Sequence, residues 1–99
     1  MSNEWVLIKL PTHTRLLRIT YGGYLSGDSW NLNSGVVKVE KDGDLFTYHG
    51  RSGSVYTCHK NNYGLRNSLG FTIVDRIKKG QPEAVVLSSP EDYKEEEDE

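Results

Sequence analysis

Cys58 and His49 are the residues of this chain from which nucleophilic chemistry could be built. Cys58 is the only cysteine, and in the strand register that the turns predict it shares one sheet face with His49. An imidazole beside a thiol can generate the thiolate that attacks a substrate. The sequence specifies neither an oxyanion hole nor a substrate cleft, and buried cysteines usually pack as small hydrophobic side chains. We therefore expect no enzymatic activity and assign no catalytic residue.

Metal ligation would draw on Cys58, His59, His49 and His13, because thiolate and imidazole suit zinc or copper. Cys58 and His59 are adjacent in sequence, so on a strand they point to opposite faces. Cys58 with His49 would supply only two ligands. The carboxylates beside turn glycines follow from the preference of Asp for turns, and no glycine-rich phosphate-binding loop occurs. The sequence predicts no metal and no cofactor.

A mixture of aromatic and cationic residues between Tyr48 and Arg66 is the strongest indication of binding. Exposed aromatic rings stack on the bases of single-stranded nucleic acid, and cations follow its phosphates. The same residue types are enriched at protein–protein hot spots, so a protein partner is the alternative. The predicted binding residues are Lys38, His49, Arg51, Tyr56, Lys60, Tyr63 and Arg66.

The charge of the chain is divided between two regions. Residues 1–82 carry eleven Lys and Arg against six Asp and Glu, a net charge of +5. Residues 83–99 carry one Lys against eight Asp and Glu, a net charge of -7. Dense like charges repel, and few apolar residues are available there to offset the ordering entropy. We expect one small β-rich domain over residues 1–82 and a disordered acidic tail over residues 83–99.

Strand patterns dominate the first two thirds of the chain. Alternating and β-branched runs bounded by Gly, Asn and Asp predict half-buried strands. The predicted strands are residues 5–10, 16–21, 36–40, 45–49 and 54–59. Residues 26–35 are predicted as a loop. Within this loop we expect Trp30 to pack over the sheet edge rather than to contact a ligand, and Trp5 is predicted to lie in the core.

Two turns set the predicted register of the central strands. Asp42-Gly43 is typical of a two-residue type I′ hairpin, which would pair Lys41 with Asp44. A second turn at residues 50–53 would pair His49 with Ser54. The core face then holds Val37, Val39, Phe46, Tyr48, Val55 and Thr57, and the other face holds Lys38, Thr47, His49, Tyr56 and Cys58. A slip of one residue in either turn would reverse this assignment.

The segment after residue 62 is compatible with two structures. Apolar residues recur at the spacing of one helix face at Leu65, Leu69, Ile73 and Ile77. Asn67 or Ser68 can cap the start of a helix and Gly80 can end it. The strand formers in residues 71–77 instead allow a hairpin with residues 84–87. We favour a short helix over about residues 66–79. The predicted fold is α+β, a small antiparallel sheet or partly open barrel with this helix, and an all-β barrel is the alternative.

These observations predict a non-enzymatic, cytoplasmic binding module that engages single-stranded DNA or RNA, with the acidic tail modulating access. The alternative is a small interaction or inhibitor protein that docks on a host or partner protein. The stretch from Ser54 to Gly64 resembles small accessory proteins encoded by bacteriophages, and this resemblance implies that such an inhibitor would be phage-encoded. A single cysteine gives no intramolecular disulfide, and the apolar run at residues 5–8 is too short to span a membrane, so no membrane partner is expected. The sequence predicts no particular oligomeric state.

Overall fold

Two antiparallel sheets and one α-helix make up the structure. The computed structural model describes residues 3–23 and 27–93. The strands are β1 (Asn3–Lys9), β2 (Thr14–Gly23), β3 (Gly27–Leu32), β4 (Val36–Asp42), β5 (Leu45–Gly50), β6 (Val55–His59) and β7 (Val85–Val86). The helix α1 spans Ser68–Gly80, and two 3-10 turns span Lys60–Asn62 and Pro90–Asp92. The predicted α+β fold is confirmed, and these strands form no closed barrel.

The two sheets and the helix form three layers. A four-stranded sheet has the order β3-β2-β1-β7, and a three-stranded sheet has the order β4-β5-β6. The four-stranded sheet lies in the middle, with α1 against one face and the three-stranded sheet against the other. Strand β1 is therefore covered on both faces, which explains why residues 5–8 are continuously apolar instead of alternating.

Each face of the middle sheet contributes to a separate core. On the helix side, Val6, Ile8, Leu17 and Ile19 pack with Ile73, Val74, Leu10 and Ala84. On the other side, Trp5, Leu7 and Leu16 pack with Val36, Phe46, Tyr48 and Cys58. Trp5 is buried, as predicted, and its indole Nε1 donates a hydrogen bond to the carbonyl of His59 at 2.8 Å.

The register of the three-stranded sheet differs from the prediction at both turns. Asp42 pairs with Leu45, so the loop residues are Gly43 and Asp44, and Gly43 has a φ of 61°. Compared with the predicted pairing of Lys41 with Asp44, the observed pairing is displaced by one residue on each strand. Because the two displacements together keep the parity, Val39 still faces the core with Tyr48. The assignment of Val37 to the core face was wrong, because the pairing of β4 with β5 shifts between Val36 and Lys38, and Val36 is buried instead of Val37.

The second turn reverses the predicted faces of β6. Gly50 belongs to β5 and donates its N–H to the carbonyl of Ser54 at 2.7 Å, which leaves a three-residue loop that ends at Gly53 with a φ of 95°. Tyr48 consequently pairs with Tyr56, and Phe46 pairs with Cys58. The assignment of Tyr56 and Cys58 to the outer face was wrong. Both point toward the core, and Val55 and Thr57 are exposed in their place.

Strand β3 replaces part of the predicted loop at residues 26–35. Trp30 pairs with Ile19 and Leu32 pairs with Leu17. The prediction failed because β3 is an edge strand whose Ser29 and Asn31 are exposed, so its composition resembles that of a loop.

Helix α1 confirms the favoured reading of the segment after residue 62. Its N-cap is Asn67, which donates from Nδ2 to a carboxylate oxygen of Glu4 at 3.1 Å instead of capping the helix with its side chain. The helix ends at Gly80, directly after Lys78 and Lys79. Residues 85–86 do form a strand, as the hairpin alternative supposed, but they pair with Ile8 and Lys9 of β1.

The packed part of the chain extends beyond the predicted boundary at residue 82. Ala84 and Pro90 are buried, and the ring of Tyr93 meets that of Tyr48 edge-on, with 6.4 Å between centroids. The reason is composition, since apolar residues are interspersed with the first acidic ones as far as Tyr93. The tail prediction stays a prediction for residues 94–99, which lie outside the described residues. No helix in the described ranges is long and apolar enough to cross a membrane.

Candidate functional site

Lys38 and His49 are the only pair of predicted binding residues that the described residues place side by side on the outer face of the three-stranded sheet. They are cross-strand neighbours on β4 and β5. Glu40 lies between them, with carboxylate oxygens 3.2 Å from the Lys38 ammonium and 3.5 Å from Nε2 of His49. The hydrogen bond from Lys38 and the proximity of His49 lower the pKa of Glu40. The carboxylate therefore offsets much of the charge that Lys38 could offer to a phosphate.

Tyr56 and Tyr63 take part in packing instead of presenting free rings. The guanidinium of Arg18 lies over the ring of Tyr56, 4.7 Å from its centroid. The ring of Tyr63 packs edge-on against Trp5, and its hydroxyl donates to the carbonyl of Leu87 at 2.6 Å. Burial raises the pKa of Tyr63. A stacking surface made from these two tyrosines is therefore not assembled.

The outer face of the three-stranded sheet is left without aromatic residues. Strand alternation and exposure assign to it Lys38, Glu40, Leu45, Thr47, His49, Val55, Thr57 and His59. Among described residues, stacking on bases thus has no ring on this face. The basic and aromatic sheet face expected from the sequence depended on the register of the second turn.

Lys60 binds the segment that follows α1. Its ammonium lies 2.8 Å from a carboxylate oxygen of Glu91, and Lys41 lies 3.3 Å from the other oxygen. These contacts lower the pKa of Glu91 and raise that of Lys60. Residues 87–93, here called the strap, thus fasten the edge of the middle sheet to the three-stranded sheet. Arg66 lies apart and donates to the carbonyl of Asn61 at 3.0 Å.

Cys58 and His49 do not form the nucleophile and base arrangement considered from the sequence. They point to opposite faces of the three-stranded sheet, because Cys58 is buried beside Phe46. Burial raises the pKa of the Cys58 thiol to about 11, so it is protonated at neutral pH. The part of the chain that the structure describes also holds no cluster of three or more His, Cys, Asp or Glu arranged to bind a metal.

An apolar groove runs between the edge strand β3 and α1, and sequence analysis did not predict it. The groove has a volume of about 270 Å³ and is lined by Trp30, Leu69, Thr72, Ile73, Arg76 and Ile77. Trp30 is 50% exposed. We call this feature the Trp30 groove. In the sequence, the groove is indicated only by the position of Trp30 among polar residues. That pattern is as typical of an edge strand with one contact residue as it is of a loop.

A second groove lies on the opposite side of α1. It has a volume of about 320 Å³ and lies between the helix and the residues around β7. Phe71 at its rim is 53% exposed. The strand beside this groove is β7, which stands at the other end of the four-stranded sheet and spans only two residues, Val85–Val86, whereas β3 beside the Trp30 groove spans six.

The fold and these grooves define a small three-layer α+β domain with an open strand edge. No protein-family model, curated protein or solved structure matches the chain.

Proposed function

We propose that this protein is a non-enzymatic interaction protein that binds an extended segment of a partner protein along β3. The observation that carries this proposal is the half-exposed indole of Trp30 on an open strand edge beside an apolar groove. It corresponds to the alternative that the sequence analysis left open, and it uses residues outside the predicted binding set.

The backbone of β3 supports the proposal because it stands at the end of its sheet. Within the described residues, the outer N–H and C=O groups of β3 have no strand partner. An incoming strand can satisfy these groups with main-chain hydrogen bonds, while side-chain pockets provide specificity. The exposed edge is short, six residues from Gly27 to Leu32, which suits a peptide segment better than a whole sheet.

The residues of the Trp30 groove indicate the chemistry of that segment. Leu69, Ile73 and Ile77 supply an aliphatic floor, and Arg76 supplies a cation at the rim. Trp and Arg are the residue types most enriched at hot spots. The segment that fits places an apolar side chain against Trp30 and a carboxylate next to Arg76.

Selection from a random peptide library on the immobilised protein tests the proposal without a known partner. We expect extended sequences that combine apolar and acidic residues. Trp30→Ala should weaken their binding by about 2 kcal/mol or more, roughly thirtyfold in Kd. Phe71→Ala is the matched control, since Phe71 is an aromatic residue of similar exposure on the other side of α1.

Two results would contradict the proposal. Selected peptides could bind Trp30→Ala as tightly as the wild type, or the selection could yield peptides whose binding depends on Phe71. Either result would separate the Trp30 groove from partner binding.

Binding of single-stranded nucleic acid through the seven residues predicted from the sequence remains a second proposal, and modulation by the acidic tail remains part of it. The net charge of +5 on residues 1–82 supports it. The inward orientation of Tyr56 and Tyr63 limits it to phosphate contacts by cations. Of the predicted cations, Lys38 and Lys60 are paired with carboxylates, whereas Arg51 and Arg66 form no ion pair among the described residues.

A further inference from the structure

We infer that the connection between β3 and β4, residues 33–35, carries a binding site for a phosphate group. Two guanidinium groups and one imidazole contact this connection: those of Arg15, Arg51 and His13. The inference is independent of the proposed partner binding, because Trp30 lies within β3 and the groove that it lines includes none of these three residues.

The connection is a rigid platform because Asn33 is buried and fully engaged. Its backbone N–H donates to the carbonyl of Leu16 at 3.0 Å, and its side-chain oxygen accepts the N–H of Leu16 at 2.8 Å. Its Nδ2 donates to the carbonyl of Gly35 at 3.4 Å. Groups that rest on this platform are held in place before any ligand arrives, which lowers the entropic cost of binding.

Arg15 approaches the platform from β2. Its Nε donates to the carbonyl of Asn33 at 2.6 Å, which orients the guanidinium through one of its five N–H donors. Partial burial lowers the pKa of Arg15, yet arginine stays protonated in proteins. Among the described residues, the remaining donors of this group have no acceptor.

Arg51 and His13 meet at the other end of the platform. The backbone N–H of Arg51 donates to the carbonyl of Gly35 at 2.8 Å. A Cβ at Gly35 would lie 3.1 Å from Nε of Arg51 and 3.3 Å from a ring carbon of His13. Glycine at this position thus lets both side chains lie against the backbone. Gly35 and Asn33 are two residues apart, at most about 7 Å between their Cα atoms.

Arg15 and Arg51 differ from three of the lysines in having no carboxylate partner among the described residues. Lys38 is paired with Glu40, and Lys41 and Lys60 are paired with Glu91. Among described residues, neither Arg15 nor Arg51 forms an ion pair. Two guanidinium groups on one short connection repel each other, and an anion is attracted to both. The fork of guanidinium donors matches the oxygens of a phosphate group.

Titration of isotope-labelled protein with inorganic phosphate, followed by NMR, tests the site directly. We expect saturable shifts of the backbone amides of Gly35 and Arg51. Arg51→Gln should weaken binding about tenfold, because it removes charge-assisted hydrogen bonds. Arg51→Lys should bind phosphate with an affinity between those of the wild type and Arg51→Gln, since it keeps the positive charge and loses the paired guanidinium donors. Arg66→Gln is the control and should bind like the wild type.

A second titration with a short single-stranded oligonucleotide distinguishes the sources of the phosphate group. Tighter binding than inorganic phosphate, weakened by Arg51→Gln, would assign the site to a nucleic-acid backbone. Binding of inorganic phosphate alone would assign it to a free phosphate. The inference is overturned if neither ligand shifts Gly35 and Arg51 saturably, or if Arg51→Gln and Arg66→Gln bind as well as the wild type.

Discussion

Cys58 illustrates how one residue's chemistry depends on the face to which its strand directs it. On the outer face it would lie beside His49, and on the inner face it lies among Phe46, Tyr48 and Trp5. Burial in the second environment stabilises the neutral thiol relative to the thiolate. The residue therefore acts as a small apolar side chain of the core, and its pKa of about 11 follows from that position.

The raised pKa of Cys58 has a consequence for stability at alkaline pH. A thiol whose pKa is higher in the folded state, about 11 instead of 9.0, keeps its contribution to stability below pH 9. That contribution is lost as the pH rises toward 11, because only the unfolded chain readily releases the proton. We expect urea denaturation to show a smaller loss of unfolding free energy between pH 8 and pH 11 for Cys58→Ala than for the wild type.

The other tyrosines contribute in both proteins, so the difference between the two pH profiles reports the thiol together with its electrostatic effect on the pKa of Tyr48. Thiol reagents should likewise react slowly with the native protein and quickly in urea. Equal pH profiles for Cys58→Ala and the wild type, or a fast native reaction, would place Cys58 in a solvated position.

At the scale of elements, the strap and β7 complete the middle sheet. The N–H of Leu87 donates to the carbonyl of Leu7 at 2.9 Å, and Tyr63 and Leu87 are joined through the tyrosine hydroxyl. These contacts cover one edge of β1, and β2 pairs with the opposite edge. An uncovered edge of such an apolar strand would be open to pairing with other chains.

Two truncations separate the packed segment from the acidic residues that follow it. A chain ending at residue 93 should unfold at nearly the same temperature as the full chain. A chain ending at residue 82 should unfold at a temperature lower by several degrees or fail to fold, because it lacks β7, buried Pro90 and Tyr93. Thermal unfolding by circular dichroism measures both.

The stabilities of the two truncated chains decide how the acidic residues 94–99 should be tested. If the chain ending at residue 82 were as stable as the one ending at residue 93, the strap would contribute nothing to the fold. Otherwise, any test of the acidic residues 94–99 requires removal after Tyr93, where electrostatic and structural effects are not mixed.

The elements differ in how much of them the sequence reveals, for reasons tied to particular residues. Helix α1 was predictable because three signals all indicate a helix: the spacing of its apolar residues, Asn67 at its start and Gly80 at its end. The face of β6 was not, because a three-residue and a four-residue loop at Gly50 and Gly53 are equally compatible with the residue types. Strand β3 was hidden because an edge strand exposes polar residues that also suit a loop.

The candidate sites were harder to predict than the fold. Trp30 was recognised as unusual, but the helix residues that form its groove lie some forty residues away in sequence. Arg51 was named as a binding residue, whereas Arg15 and His13 were not, because only the β3–β4 connection brings the three together. Such sites depend on tertiary contacts that local patterns do not encode.

At the scale of the whole molecule, β1 joins the two cores into one cooperative unit. Its Trp5 and Leu7 belong to the core between the sheets, and Val6 and Ile8 belong to the core beneath the helix. Neither layer can be removed without exposing one face of β1. For a protein of this size, such sharing favours two-state unfolding.

Two core variants test this cooperativity. Ile73→Ala weakens the helix-side core, and Phe46→Ala weakens the core between the sheets. Each should lower the unfolding free energy by about 2–5 kcal/mol. In each variant, tryptophan fluorescence and far-ultraviolet circular dichroism should report the same urea midpoint. Separate midpoints for the two probes in Ile73→Ala would mean that α1 leaves the sheets before they unfold.

The position of β1 also bears on how the chain reaches its native state. This strand precedes the other described strands in the chain, yet one of its edges is covered by β7, about eighty residues later. During synthesis the apolar run at residues 5–8 can pair with β2 early, but its other edge stays exposed until β7 has emerged. Contacts of such high sequence separation also slow refolding relative to a helical protein of equal length. The interval between the synthesis of β1 and that of β7 is therefore the period in which the nascent chain is most prone to associate with others.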